Sequence, residues 1–542
     1  MSPTTPATAV GTAEPRAPVL RRRERPQVDE GPAGAPLLGA DYLVVALLVV
    51  AAGALRLGGL GPSSLWLDDA WLALSSRAGG LDEVVMVGAT APGFAALLAG
   101  VLAVAGFSEI GAQALPFAFG VAAAPGLYLV ARRMGLARPA AIAGAALMVS
   151  APLHILYSGR VKPFTADALG AMVVLLAGWR VVERPQVGRR WAWLGAASVV
   201  ATVVSAAAAA TIAGAYLAGL PAAATARHRR LGPALAATGG FAVFALAWWA
   251  AVFRHASTPA LRAYWADHYV DVGTGPVNAG GDLLRGLAGV TRGLAALPPA
   301  LGWLVVVVAA AVVVARRPRL AVLLLAPLAV AVVLATLELA PLGGGRTDIH
   351  LYPALALLVA VAVQLAASRA LRPSVHANTD AAPRPPARPL AGTGAVAALV
   401  GVLAIGAAPS PAYPAEDVRP LVAAVENLAR PDDGIVVYSA SRWAYALYAG
   451  RPVELRRDRR SANGFDVTID DERVTVLEAH RDAPAGHAPA VDRLAADHDR
   501  LWLVTSHGGA DVAVIEEMLR DRGYTAATTQ HRPGAALALW SR

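Results

Sequence analysis

The sequence predicts a mainly α-helical, polytopic membrane protein with a small α/β domain at its C-terminal end. Of the 542 residues, 56% are apolar and 16% are charged, and the mean hydropathy is +0.51. A soluble domain carries about 25% charged residues. The apolar residues form long stretches separated by arginine clusters, and only the part of the chain from 410 onward mixes charges with short apolar runs. This pattern excludes a water-soluble enzyme, a disordered chain and a coiled coil.

Charge and cysteine content exclude further classes. The net charge of +9 does not predict nucleic-acid binding, because the arginines lie in short clusters between apolar stretches, as in loops that orient membrane helices. Cysteine is absent, so a disulfide framework, a thiol nucleophile and a cysteine-ligated zinc site are excluded. Lys162 is the only lysine of the chain.

The transmembrane part is predicted from span length and from the position of the arginines. A helix needs about 20 apolar residues to cross the hydrocarbon core, and arginine-rich loops stay in the cytoplasm. Two apolar stretches, 91–106 and 112–131, lie between the outer end of the first span and the next arginine cluster, but an odd number of crossings is required there. We therefore interpret the shorter stretch, 91–106, as a helix that lies in or re-enters the outer leaflet. The eleven predicted spans are 41–60, 112–131, 139–157, 164–182, 191–206, 208–225, 232–253, 299–315, 320–337, 349–367 and 391–408.

Three regions follow from this assignment. Residues 1–38 are predicted to be a disordered basic cytoplasmic tail, 39–409 the transmembrane domain in the cytoplasmic (plasma) membrane, and 410–542 an extracytoplasmic α/β domain. In the last region strands are expected at 434–438, 501–504 and 536–540, and helices at 415–429, 489–499 and 510–522. Alternation of strands and helices is typical of an α/β domain.

The first predicted outer loop carries two adjacent carboxylates, Asp68 and Asp69, between Trp66 and Trp71. A carboxylate in a partly dehydrated pocket can act as a general base because its pKa can rise toward the working pH. The alternative is structural: one aspartate caps the helix that follows.

The second outer loop is short and holds Arg160, Lys162 and Asp167. Positive charge on the outer side opposes the usual distribution, so these cations are candidates for holding a phosphate. Asp167 then needs a cationic partner, for which Arg160 or Lys162 would serve. The alternatives are contact with lipid headgroups and snorkelling from the helix ends.

A third outer loop places three glycines, 343–345, before Arg346, which allows an anion to approach the backbone closely or simply forms a flexible turn. The long loop 254–298 contains Tyr264, Trp265 and His268 on an amphipathic stretch, which is either a sugar platform or an interfacial helix. No zinc-binding spacing is present.

These loops, in this order, resemble the integral-membrane C-type (GT-C) glycosyltransferases, in the branch related to protein O-mannosyltransferases and aminoarabinose transferases. That branch has an aromatic-framed Asp-Glu pair, which resembles Asp68 and Asp69. Its Tyr-Ser-x-x-Ala-Lys-Pro-Tyr-Ser-x-Asp motif is similar to 157–167, which read Tyr-Ser-Gly-Arg-Val-Lys-Pro-Phe-Thr-Ala-Asp. Its Gly-Arg-Thr segment resembles 345–347. Arg160 stands where the family has an acidic residue.

The resemblance implies that a sugar is transferred, with inversion, from a polyprenyl-phosphate donor to an acceptor hydroxyl on a glycan, lipid or protein. Asp68 would be the general base, and Asp69 would orient hydroxyls. Lys162, Arg160 and Arg346 would stabilise the departing phosphate. Membrane lipids are expected partners; no cofactor is predicted, and a divalent metal ion stays open. The alternatives are a lipid or polysaccharide transporter and a non-catalytic membrane scaffold.

Overall fold

The computed structural model describes residues 37–77, 90–226, 231–254, 258–370, 416–458, 460–461, 464–478 and 483–542. Two bodies of secondary structure fill these ranges: a helical region up to residue 370 and a region with β-sheet after residue 416. The predicted boundary between 409 and 410, the span 391–408 and nearly all of the predicted tail 1–38 lie outside the described residues.

The helical region is built from apolar α-helices that begin mostly at proline or glycine and end at arginine clusters or turns. Proline suits the first turn of a helix because the missing N–H would have no partner there. The helices are α1 Gly39–Leu57, α2 Leu67–Arg77, α3 Pro92–Ala105, α4 Glu109–Arg133, α5 Arg138–Ser150, α6 Pro152–Ser158, α7 Phe164–Glu183, α8 Gly188–Val204, α9 Ala208–Ala224, α10 Leu231–Trp248, α11 Pro259–Tyr264, α12 Pro276–Leu294, α13 Pro299–Arg316, α14 Pro318–Thr336 and α15 Tyr352–Ala370.

Seven of the described helical segments are long and apolar enough to cross a membrane, and an eighth span is possible if the bent pair α5 and α6 counts as one. The predicted number of eleven is not confirmed. Helices α8 and α9 occupy the predicted short spans 191–206 and 208–225, but each has only 17 residues. Helix α3 has 14 residues, about 21 Å of length, which is too short for a crossing.

The predicted span 139–157 is broken, and the break presents the second outer loop. Helices α5 and α6 meet at an angle of 58° around Ala151 and Pro152. The guanidinium of Arg56, which is fully buried, donates to the carbonyl of Met148 at 3.1 Å and to the hydroxyl of Ser158 at 3.0 Å. Arg56 thus gives a partner to a carbonyl that the end of α5 leaves free, and it ties both helices to α1.

The C-terminal region is a mixed α/β domain. Its described elements are α16 Arg419–Leu428, β1 Gly434–Val437, α17 Arg442–Tyr448, β2 Val453–Arg457, β3 Phe465–Ile469, β4 Val474–Val476, α18 Ala488–Asp497, β5 Arg500–Ser506, α19 Ala510–Asp521, β6 Thr525–Arg532 and β7 Ala535–Ser541. Five of these strands form one sheet in the order β4-β1-β5-β7-β6, in which β4, β1 and β5 run parallel to one another and β7 is antiparallel to both β5 and β6. A separate antiparallel pair, β2 and β3, was not expected.

One hydrophobic core joins this domain to the segment around α2. Leu65, Trp71 and Phe94 belong to the same buried cluster as Trp443 and Phe465. The rings of Trp71 and Phe465 meet edge to face with centroids 5.9 Å apart. The helix that carries the two adjacent aspartates is therefore packed between the membrane helices and the C-terminal domain.

Candidate functional site

Helix α2 places the two aspartates in its first turn. Asp69 is 1% exposed, and the side chain of Asp68 keeps 17% of its surface accessible. The carbonyl of Trp66, the residue before the helix, accepts from the backbone N–H groups of Asp69 and Ala70, at 3.0 and 2.8 Å. The predicted capping role would need an aspartate before the first turn, and both aspartates lie inside the helix instead.

The loop between α6 and α7 brings Arg160 and Lys162 to this helix. Close contact between two loop backbones makes this possible, because a Cβ atom on Gly159 would lie 2.4 Å from the carbonyl oxygen of Gly59. A larger residue at 159 would push the loop away. Arg160 Nη1 lies 3.7 Å from Asp69 Oδ2, and Lys162 Nζ lies 3.7 Å from Asp68 Oδ2.

The third outer loop contributes Arg346, whose Nη1 donates to Asp68 Oδ2 at 3.0 Å. The loop is closed by Asp348, which accepts from the backbone N–H groups of Gly343 and Gly345, each at 3.1 Å. Both glycines have positive φ angles, 77° and 73°, which most residues avoid. The three glycines therefore form a turn that these two hydrogen bonds close. The turn leads into a short 3₁₀ helix, Arg346–Leu351, which begins with Arg346.

The two carboxyl groups differ in their electrostatics. Burial raises the pKa of Asp68, but the charges of Lys162 and Arg346 outweigh burial, so the pKa lies below its usual value. Burial raises the pKa of Asp69 to about 6 in spite of the charges of Arg160 and Lys162. At neutral pH both carboxyl groups are therefore mainly ionised, but Asp69 takes up a proton about one pH unit below neutrality.

Lys162 lies between a carboxylate and an aromatic ring. Its ammonium group is 3.9 Å from the centroid of the Trp71 ring, and the same indole donates to Asp68 Oδ1 at 3.3 Å. Burial lowers the pKa of Lys162 to about 8, against the opposing charge of Asp68. The compact ammonium is thus positioned by Trp71 and holds its charge only up to mildly alkaline pH.

Tyr264 and Trp265 extend the site on the side of Arg346. The guanidinium carbon of Arg346 lies 5.9 Å from the ring centroid of Tyr264 and 5.2 Å from that of Trp265. Arg346 Nη2 also donates to the hydroxyl of Tyr264 at 3.2 Å, and the ring of Tyr264 is exposed. The aromatic residues of loop 254–298 therefore adjoin the charged cluster, as the sugar-platform interpretation requires.

Asp167 does not join this cluster. It is buried in the first turn of α7, and the expected ion pair with Arg160 or Lys162 is not formed, because these cations face Asp69 and Asp68. Asp167 lies beside Ser205 instead. Its Oδ1 has no hydrogen-bond partner within the described part of the chain. The structure therefore brings together Asp68, Asp69, Arg160, Lys162 and Arg346 and leaves Asp167 apart.

The donor set at the centre of the site fits an anion better than a cation. Three cations, Arg160, Lys162 and Arg346, surround two carboxylates. Within the described ranges, no three His, Cys, Asp or Glu side chains lie together as a metal-binding group. A phosphate is the chemical group that three convergent cations hold well.

Sequence reasoning missed two classes of residue at this site. One is the local support, Trp71 and Asp348, whose roles need the fold to be seen. The other comes from the C-terminal domain: Glu416 Oε2 accepts from the backbone N–H of Leu67 at 3.0 Å. No local signal marks Glu416, because 349 residues separate it from its partner.

Comparison with known proteins gives a likeness in structure only. No protein-family model matches the sequence, and no curated protein matches it either. Among solved structures, ArnT from Cupriavidus metallidurans in the apo state is similar, with a TM-score of 0.50 and 13% identity over 92% of this chain and 98% of that chain. The same protein bound to undecaprenyl phosphate gives 0.47 and 14% identity over 93% and 98%.

The archaeal oligosaccharyltransferase AglB from Archaeoglobus fulgidus, in complex with an inhibitory peptide and a dolichol-phosphate, gives a TM-score of 0.47. Its identity is 11% over 92% of this chain and 74% of that chain. At such low identity, the likeness to apo ArnT, an aminoarabinose transferase, establishes the fold alone. The resemblance expected from the outer loops is confirmed at that level: the chain is a polytopic helical membrane protein with the GT-C fold and a C-terminal sheet domain.

Proposed function

We propose that this protein is a membrane glycosyltransferase that takes a sugar from a polyprenyl-phosphate donor and transfers it to an acceptor hydroxyl on the outer face of the cytoplasmic membrane. The observation that carries the proposal is the convergence of Asp68 with Lys162 and Arg346, 3.7 and 3.0 Å from one carboxylate oxygen. A proton acceptor and groups that hold an anion are the two requirements of this reaction.

In the proposed reaction the acceptor oxygen attacks the anomeric carbon of the sugar from the face opposite the phosphate. The bond between that carbon and the phosphate oxygen breaks, and the configuration inverts. Asp68 takes the proton of the acceptor hydroxyl. The polyprenyl phosphate leaves with an additional negative charge, which Lys162, Arg346 and Arg160 stabilise.

Donor binding would also prepare the base. In the free protein Lys162 and Arg346 both contact Asp68 and lower its pKa, which makes it a weak base. A donor phosphate would also bind these two cations and weaken their stabilisation of the ionised Asp68 carboxylate. The pKa of Asp68 would then rise, so the base becomes stronger only when the donor is present.

The rival reading, a transporter, requires charged groups along a passage through the bilayer. Among the described residues, the buried charged side chains of the candidate spans lie in the first or last turn of their segment. They are Asp41 and Arg56 in α1, Glu109 and Arg132 in α4, Asp167 in α7 and Asp348 before α15. The middle of each described span thus carries no buried charged side chain, which argues against a charged passage through the bilayer.

The test uses the full chain in nanodiscs with a panel of synthetic undecaprenyl-phosphate pentoses and hexoses and simple alcohol acceptors. Wild-type protein should release undecaprenyl phosphate from at least one donor, and Asp68→Asn should slow the release by about 10²- to 10⁴-fold. Asp282→Asn is the matched control, because Asp282 is a carboxylate that contacts Arg285 away from the site. Unfolding midpoints confirm that the variants fold. Full release by folded Asp68→Asn would exclude Asp68 as the base.

A further inference from the structure

The C-terminal domain contacts the helix of the two aspartates through Glu416. This side chain is 2% exposed, and both of its carboxylate oxygens have hydrogen-bond partners. Oε2 accepts from the backbone N–H of Leu67 at 3.0 Å, and Oε1 lies 2.8 Å from Nδ1 of His507. Leu67 is the first residue of α2. Glu416 therefore binds the beginning of the helix in which Asp68 and Asp69 are the next two residues.

Helix α2 needs such a partner. The first N–H groups of a helix have no acceptor within it, and Ser, Thr, Asp or Asn usually supplies one from the residue before the helix. Here that residue is Trp66, whose side chain cannot accept a hydrogen bond from the backbone. Glu416 supplies an acceptor for one of these groups, the N–H of Leu67, from a distant part of the chain. Its negative charge also suits the positive end of the helix dipole.

Neighbouring contacts hold the same segment. The hydroxyl of Ser64 donates to Asp417 at 2.6 Å, and the backbone N–H of Leu65 donates to the hydroxyl of Tyr448 at 2.8 Å. The ring of Trp66 lies 5.4 Å from the guanidinium carbon of Arg160 and 6.5 Å from the ring of His507. These contacts therefore connect Glu416, through His507 and Trp66, with Arg160, one of the cations of the site.

The partner of Glu416 is itself held in an unusual conformation. His507 follows β5 with a φ angle of 51°, in the left-handed region that residues other than glycine rarely adopt. Its backbone N–H donates to Gly534 at 3.3 Å. Such a conformation persists only where the surroundings fix it. The backbone therefore holds the imidazole against Glu416, although 47% of the His507 side chain is exposed.

We infer that Glu416, anchored by His507, is a positioning residue of the transfer reaction: it fixes the N-terminal end of α2 and so keeps Asp68 and Asp69 opposite Lys162 and Arg160. The inference rests on the proposed function. It assigns the C-terminal domain a part in the reaction, because the first turn of α2 is completed by a side chain from that domain.

The experiment compares Glu416→Ala with Glu416→Gln in the full chain in nanodiscs, using the donor panel above. Alanine removes the acceptor for Leu67, and kcat should fall about 10- to 100-fold, because small displacements of reacting groups have effects of this size. KM for the donor should change less than about threefold. Glutamine keeps an oxygen for Leu67 and offers its amide to His507, so it should restore kcat to within about threefold of wild type.

Two control variants separate this role from general damage. Glu454→Ala removes an exposed carboxylate of the same domain that pairs with Arg456, and its kcat should match wild type. Should Glu416→Ala fail to fold, His507→Gly takes its place, since glycine accepts the left-handed backbone and leaves Glu416 without its anchor. An unchanged kcat in Glu416→Ala, or in folded His507→Gly, would overturn the inference, and so would a glutamine variant as slow as the alanine variant.

Amide hydrogen exchange distinguishes failure of this inference from failure of the proposed function. Exchange at the amides of 65–70 should become faster in Glu416→Ala than in wild type and should stay slow in Glu416→Gln. If wild-type protein transfers no sugar, the proposed function fails and the exchange result still decides whether Glu416 fixes the helix. Equal exchange in all three proteins would overturn the inference while leaving the transfer reaction intact.

Discussion

Two buried charged clusters occupy different ends of the helical region and differ in the lengths of their ion pairs. In the first, Asp41 accepts from Tyr128 at 2.6 Å, from Arg132 at 2.9 Å and from Arg138 at 3.2 Å. In the second, around Asp68 and Asp69, two of the three ion pairs are 3.7 Å long. Both clusters carry one more cation than carboxylates, so charge balance does not distinguish them.

Saturation of the carboxylates does distinguish the clusters. Both oxygens of Asp41 have hydrogen-bond donors, including the backbone N–H of Leu38. In contrast, Asp69 Oδ1 is buried with no hydrogen-bond partner in the described part of the structure. A saturated cluster has no capacity left for a ligand and ties helices together. Long ion pairs and an unpartnered buried oxygen are what the proposed function requires of a site that a substrate completes.

The largest expected contrast compares Asp41→Asn with Asp68→Asn. Asp41→Asn leaves two guanidinium groups without their carboxylate and should cost about 3–5 kcal/mol of stability, seen as a lower unfolding midpoint. Asp68→Asn should slow transfer by about 10²- to 10⁴-fold with little change in the midpoint. An Asp68→Asn variant that unfolds as easily as Asp41→Asn, or an Asp41→Asn variant that folds normally yet cannot transfer, would break the distinction between the clusters.

The second effect concerns the phosphate. Lys162→Ala should weaken the binding of undecaprenyl phosphate about 10- to 100-fold, because a charge-assisted contact contributes about 1.5–3 kcal/mol. Native mass spectrometry or calorimetry in nanodiscs measures this. Arg319→Ala serves as the control, since Arg319 is exposed and hydrogen-bonds to Thr225 in another part of the helical region. Equal affinity of Lys162→Ala and wild type would remove Lys162 from the phosphate site.

The pH dependence of kcat/KM should report the two shifted groups of the free protein. Asp69, with a pKa of about 6, becomes neutral as the pH falls and then no longer pairs with Arg160. Lys162, with a pKa of about 8, becomes neutral as the pH rises and loses its hold on the phosphate. We expect a bell-shaped profile with limbs near these values, each approaching tenfold per pH unit.

Lys162→Arg sharpens this prediction, because a guanidinium stays charged throughout the accessible range. The alkaline limb should then disappear below about pH 10, while the acidic limb stays in place. An alkaline limb that is unchanged in Lys162→Arg would show that another group controls it.

The same two clusters indicate how far sequence alone can lead. Lys162 and Asp68 could be singled out because each lies in a predicted outer loop where its charge is conspicuous against apolar neighbours. The cluster around Asp41 was not predicted. Asp41 and Arg138 are recognisable in the sequence as charged residues at the ends of apolar stretches, but only the packing of α1, α4 and α5 brings them together.

Contacts between distant parts of the chain also limit the prediction of the site. Nothing near Glu416 indicates that it would complete helix α2. Asp167 was expected to pair with Arg160 or Lys162, which lie close to it in the sequence. In the structure the turn of α7 carries Asp167 toward Ser205 instead. The buried Arg56, which contacts both α5 and α6 at their bend, likewise lies outside the span 139–157, so the hydropathy of that span could not reveal it.

The smallest expected effect tests the edge of the site. Tyr264→Phe removes the hydroxyl that accepts from Arg346 but keeps the exposed ring. Since Arg346 keeps its contact with Asp68 at 3.0 Å, and a neutral hydrogen bond contributes about 1 kcal/mol, transfer should slow by no more than about fivefold. Tyr264→Leu also removes the ring, so a much larger loss in this variant, with KM for the donor raised, would mean that a sugar stacks on Tyr264. Equal, small losses in both variants would confine Tyr264 to the support of Arg346.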